Sequence, residues 1–110
     1  MDWQTIDDLN NIKNLDLAQN EQYLCLMECW DGAKMVWKAI IANFYKTGDD
    51  VTVYDNKGAA HHFDIPQTGF YYVNLLPNIS STVIQLNEVR YYTKIDYPTT
   101  EPDSFLTIEN

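Results

Sequence analysis

Two apolar runs joined by Asp31-Gly32 constrain this chain more than any other feature. Tyr23-Leu24-Cys25-Leu26-Met27-Glu28-Cys29-Trp30 leads into the pair, and Ala33 to Tyr45 leaves it. Asp-Gly between apolar runs is a strong hairpin signal, because both central residues of a type I′ turn take positive φ. The stretch Gln22–Lys46 therefore predicts two long antiparallel strands that the remaining residues must cover. In residues 22–30 neither alternating row is polar before Glu28, which predicts that both faces are at least partly covered. Residues 33–46 also fit a helix capped by Asp31 and stopped by Gly48, since Ala, Lys and Met are good helix formers. The load of Val36, Trp37, Ile40, Ile41, Phe44 and Tyr45 favours strand.

The other segments read as short strands between turns. Val51–Tyr54 and Ala59–Ile65 flank Asp55-Asn56-Lys57-Gly58 as a second hairpin, and Phe70–Val73 is a short aromatic strand. Residues 82–86 and 89–95 are two strands or one bulged strand. Residues 3–20 carry a Thr5-x-x-Asp8 capping pattern and four asparagines, which predicts one short helix or turn near 5–13. The fold class is mainly β: a single twisted antiparallel sheet built on a long hairpin, with one or two short helices. The 110 residues suit one domain. It divides into an N-terminal helix or loop segment (1–21), a β-rich core (22–95) and an acidic, proline-containing tail (96–110).

Charge is unevenly distributed. Residues 1–31 carry seven acids against Lys13, residues 32–95 five acids against six bases, and residues 96–110 four acids and no base, within a net charge of −9. Such a surface repels polynucleotides and anionic membranes and attracts basic protein surfaces. No run approaches a membrane span, and the N-terminus lacks the basic start and apolar stretch of a secretory signal. A soluble cytoplasmic protein is expected. Cys25 and Cys29 lie on one predicted strand, roughly 13 Å apart, too far for a disulfide. They read as small buried hydrophobes.

No motif carries obvious chemistry. His62 and Asp64 would share a strand face and suggest a metal site or general base, but no third ligand is spaced to join them. The glycines are isolated and no serine sits in a nucleophile motif, so neither an enzyme nor a cofactor is expected. In Phe70-Tyr71-Tyr72 and Tyr91-Tyr92, neighbours on a strand face opposite ways, which points some tyrosines toward an interface.

Trp3-Gln4-Thr5-Ile6-Asp7-Asp8-Leu9, Tyr23-Leu24-Cys25-Leu26, Trp37-Lys38-Ala39 and Val89-Arg90-Tyr91-Tyr92 before Pro98 and Pro102 carry a resemblance. These pieces are similar to small phage and prophage proteins of unknown function that open with Trp-x-Ser/Thr-Ile/Val-x-Asp-x-Leu. The chain departs from that pattern in having no proline after Leu9 and Tyr92 in place of a tryptophan. The resemblance implies a mobile genetic element and the cytoplasm of a bacterial host. It suggests an anti-CRISPR-like inhibitor whose acidic surface occupies a basic nucleic-acid-binding site of a defence complex. Asp2, Asp7, Asp8, Asp16, Glu21 and Tyr91 or Tyr92 would make the contact. The alternatives are a structural or oligomerising phage module, with homodimers formed through tyrosine faces, and a small metal-dependent enzyme using His62 and Asp64.

Overall fold

The long hairpin forms the centre of the sheet. In the computed structural model, which describes residues 2–19, 21–74 and 82–96, β2 (Gln22–Trp30) pairs with β3 (Met35–Tyr45) from Gln22↔Asn43 to Trp30↔Met35. Residues 33–46 are thus strand rather than helix over most of their length. The β-branched and aromatic side chains of β3 gain more on a pleated surface than its Ala and Lys gain in a helix.

The loop differs from a two-residue turn. Four residues, 31–34, connect the strands. The Asp31 carboxylate accepts from the backbone N–H groups of Ala33 at 2.8 Å and Lys34 at 2.9 Å. Gly32 takes φ +103°, where an L side chain is rarely found. Asp31 therefore organises the loop as a side-chain acceptor, a use of Asp that competes with the type I′ geometry.

Four further elements complete the main sheet: β1 (Gln4–Thr5), β6 (Gly69–Asn74), β7 (Thr82–Leu86) and β8 (Val89–Lys94). Its order is β1-β8-β2-β3-β6-β7, and every pairing is antiparallel. β7 and β8 are separate strands with different neighbours, which resolves the alternative of one bulged strand. The β2–β8 pairing shifts register between Leu26 and Met27. β4 (Asp50–Tyr54) and β5 (Ala60–Asp64) form a two-stranded sheet of their own.

The N-terminal segment forms β1 and one 3₁₀ helix, Leu9–Asn14. Asp8, rather than Thr5, is its N-cap, accepting from Asn10 N–H at 3.0 Å. Thr5 is held in β1 opposite Tyr91 and is unable to cap. The acidic tail, apart from Asp96, and the loop around Pro77-Asn78 lie outside the described residues.

Two apolar clusters sit on opposite faces of the sheet, because adjacent residues of a strand point opposite ways. On one face Tyr23, Cys25, Phe44, Phe70 and Tyr92 are buried beneath Ile6 and Ile12 of the N-terminal segment. The rings of Tyr23, Phe70 and Tyr92 meet at centroid distances of 5.2–6.0 Å. On the other face Tyr45 and Tyr71 pack with Val51 and Ile65 from the region of the β4–β5 hairpin. Thr47 and Thr68 clasp the chain there: each backbone N–H donates to the other's hydroxyl, at 3.0 and 2.8 Å.

Candidate functional site, an open aromatic sheet face

The face that bears Tyr45 and Tyr71 is covered at the β6–β7 side. Over β3 and the Trp30 end of β2 it is open among the described residues, whereas Leu24, Leu26 and Tyr91 are half-buried and Thr93 of β8 is buried. Leu24 opposes Ile41, Leu26 opposes Ala39, Glu28 opposes Trp37, and Trp30 opposes Met35. Trp30 is 63% exposed, Met35 54%, Trp37 51% and Ile41 50%. The expectation that both faces of residues 22–30 are at least partly covered holds, since Leu24, Leu26 and Glu28 are half-buried; the bare part of the face is Trp30 and the facing row of β3. The second hairpin packs over Tyr45 and Tyr71, not over the apolar row of the first. Large contiguous apolar patches of this kind are uncommon on monomers and mark interaction surfaces.

Within this face Trp3, Leu26, Trp37 and Tyr91 line a shallow apolar concavity. Trp37 on β3 and Tyr91 on β8 reach across β2 and meet edge to face, with centroids 5.4 Å apart. Trp3 is placed by β1, whose Gln4 and Thr5 pair with Tyr92 and Tyr91. A neighbouring hollow joins Trp37 and Tyr91 to Asp7, Glu28 and Arg90. Arg90 Nη1 donates to the Asp7 carbonyl at 3.2 Å, and its Nε lies 3.9 Å from Glu28 Oε1. Arg90 thus partly offsets Glu28, and Asp7 beside them is exposed.

The predicted contact residues do not form one cluster. Asp2, Asp7 and Asp8 are exposed, and Glu21 is half-buried. Asp7 and Tyr91 share the hollow just described, whereas Asp8 is engaged as a cap. Asp16 is paired with Lys46 at 2.6 Å, an ammonium that holds its carboxyl below the usual range. Tyr92 is 8% exposed and belongs to the core, so only Tyr91 of the pair is offered to a partner. Strand alternation signals that the pair divides but not which member faces out.

Trp3, Trp30, Met35, Trp37 and Ile41 belong to the site and were not among the predicted contacts. The common face of Trp30, Met35, Trp37 and Ile41 on the hairpin is visible in the sequence as the odd-numbered row of β3 and the even-numbered row of β2. What the sequence lacks is any sign that nothing folds over them.

His62 and Asp64 do share the exposed side of β5. His62 Nδ1 lies 2.8 Å from Thr52 Oγ1, while Asp64 stands opposite Asp50. The imidazole–carboxylate contact is a different one, His61 Nε2 to Asp55 Oδ2 at 3.0 Å. Asp55 also accepts from the backbone N–H groups of Lys57 and Ala59, and these bonds with His61 hold its carboxyl below the usual range. Among the described residues no group of three or more His, Cys, Asp or Glu side chains converges on a metal position. Among those residues no helix is long and apolar enough to cross a membrane.

No family model matches the chain, and no curated protein or solved structure matches it significantly.

Proposed function

We propose that this protein is an inhibitory binding protein that seats its open aromatic face on a cationic protein surface. The observation that carries the reading is the hollow in which Trp37 and Tyr91 stand beside the exposed Asp7 and beside Glu28, itself partly offset by Arg90. Rigid aromatic rings supply desolvated contact area, and tryptophan and tyrosine dominate binding energy where they are central to an interface. Carboxylates at the rim pair with Lys or Arg and steer association. A guanidinium held between such groups gains both the aromatic and the charge contact.

A basic surface lined with Lys and Arg is what a nucleic-acid-binding site offers. The net charge of −9 favours that surface over the polynucleotide itself. With the resemblance to small phage proteins, the reading becomes a phage-encoded, anti-CRISPR-like inhibitor acting in the bacterial cytoplasm on a host defence complex. Asp2 and Asp7 are its steering charges and Trp3, Trp37 and Tyr91 its anchors. Asp8, as a cap, and Asp16, paired with Lys46, contribute less.

The test is capture from bacterial lysate with the tagged full chain, its W37A variant and its D2K/D7K variant, followed by challenge with a short nucleic-acid duplex. The reading expects a nucleic-acid-handling complex that the duplex releases. W37A should weaken capture at least ~10-fold, and D2K/D7K should slow association and flatten its salt dependence. Capture that ignores both variants, or a ternary complex with the duplex, overturns it.

A further inference from the structure

We infer that the concavity lined by Trp3, Leu26, Trp37 and Tyr91 is a cage for a methylated ammonium, carried as Nε-trimethyllysine on the protein that covers this face. Resting on the reading of this face as a contact for a cationic protein, the cage adds the group that the face would hold. Neighbouring positions across the sheet supply the lining: Trp3 just before β1, Tyr91 on β8, Leu26 on β2 and Trp37 on β3. Leu26 stands directly opposite Tyr91, and the rings of Trp37 and Tyr91 meet at 63° with centroids 5.4 Å apart. Steeply inclined rings offer π faces in two directions, and a cation within ~6 Å of a ring centroid is drawn to such a face. Trp37 is 51% exposed and Trp3 36%, so both rings are open to a ligand.

The lining selects among cations. None of its four side chains carries a carboxylate or carboxamide, and the indole N–H groups of the two tryptophans only donate. An unmodified lysine ammonium is strongly hydrated, and its N–H donors find no strong acceptor among these side chains. A guanidinium brings still more donors. Burying such groups without acceptors is unfavourable. Methylation keeps the charge and replaces each donor by an apolar methyl, which the rings and Leu26 accommodate. Unmodified lysine and arginine belong instead in the adjoining hollow, where Asp7 and Glu28 supply acceptors.

Charge complementarity gives the sign of the ligand, and the shape of the concavity gives its carrier. Asp7 and Glu28 stand next to the concavity, and Arg90 is held in their hollow by the Asp7 carbonyl and Glu28. Lys38 lies on β3 next to Trp37 and alternates to the other face of the strand. The whole chain carries a net charge of −9. A free small ligand is usually bound where a pocket encloses most of its surface. This concavity is shallow and lies on the same row as the exposed Met35 and Ile41. It suits a head group whose carrier covers the rest of that row, as a lysine side chain on a protein does.

The test is titration of the full chain with a short peptide bearing Nε-trimethyllysine, followed by the indole N–H signals in NMR. The Trp3 and Trp37 signals should move, while Trp30, exposed on the same face but outside the concavity, should move little. The same peptide with unmodified lysine should bind at least ~5-fold more weakly, as should its uncharged analogue in which carbon replaces the methylated nitrogen. W37A should lose a similar factor, and choline, a free methylated ammonium, should bind more weakly than the peptide. Absence of binding at millimolar peptide, equal affinity for the lysine or uncharged peptide, choline bound as tightly as the trimethyllysine peptide, or shifts confined to Trp30 overturns the inference. Such a failure leaves the lysate capture of the proposed function standing. Capture that ignores both W37A and D2K/D7K instead removes the reading beneath it, so the two failures are distinct.

Discussion

Trp37 and Tyr91 touch edge to face across the intervening strand β2, with ring centroids 5.4 Å apart and an interplanar angle of 63°. The contact lies on the open face, where Trp37 is 51% exposed, so the ring is held in place without being needed to fill a core. W37A should cost only about 1 kcal/mol in urea denaturation, the scale of one aromatic pair. A loss above ~3 kcal/mol, the core range, is incompatible with a surface role for Trp37.

Phe70 is the opposite case. It has no exposed surface and touches the rings of Tyr23, Phe44 and Tyr92. F70A should destabilise the fold by ~3–5 kcal/mol through lost burial and a residual cavity, read as a lower urea midpoint.

The two cysteines should differ in reactivity. Cys25 is fully buried, and burial pushes its thiol up to about 12. Cys29 is half-buried. A thiol reagent near pH 8 should therefore modify one group per native chain, and the second only after denaturant is added. Rapid modification of both in the native protein contradicts the burial of Cys25.

The β4–β5 hairpin should respond to acid. Asp55 ties His61 and the backbone of its own turn, and these bonds hold its carboxyl below its ordinary value. As pH falls, the unfolded chain takes up this proton first. The stabilisation is complete above the ordinary carboxylate pKa of ~4 and fades below it, vanishing once the folded carboxyl protonates. Amide protection factors in residues 50–64, corrected for the intrinsic rate at each pH, should fall across that interval, and D55N should remove the part of this fall that Asp55 carries.

Legibility in the sequence followed the range of the deciding interaction. The strand Gln22–Trp30 and the second hairpin are set by neighbours a few residues apart, and they stand where alternation and turn chemistry place them. Asp31 was recognisable as a turn residue, but its acceptor role and the four-residue loop depend on atoms that only the folded loop brings together. β1 escaped notice because two residues, Gln4 and Thr5, have no period to detect. Tyr91 and Tyr92 were rightly a divided pair. Which of them faced the core was decided by register against β2, where Cys25 opposes Tyr92 and Leu26 opposes Tyr91.

Alternation, β-branched and aromatic content, and the Asp-Gly and Asn-Lys-Gly turns determined by themselves that this chain is an antiparallel β protein centred on the 22–46 hairpin. Those preferences act within a strand or across a turn. The tertiary structure alone decided that the N-terminal segment buries one face of the hairpin while the β4–β5 hairpin covers the other only beside β6. That choice leaves Trp37, Tyr91 and the edge of β3 in contact with water. Burial is a property of what packs above a residue, and an apolar row reads the same in the sequence whether covered or bare.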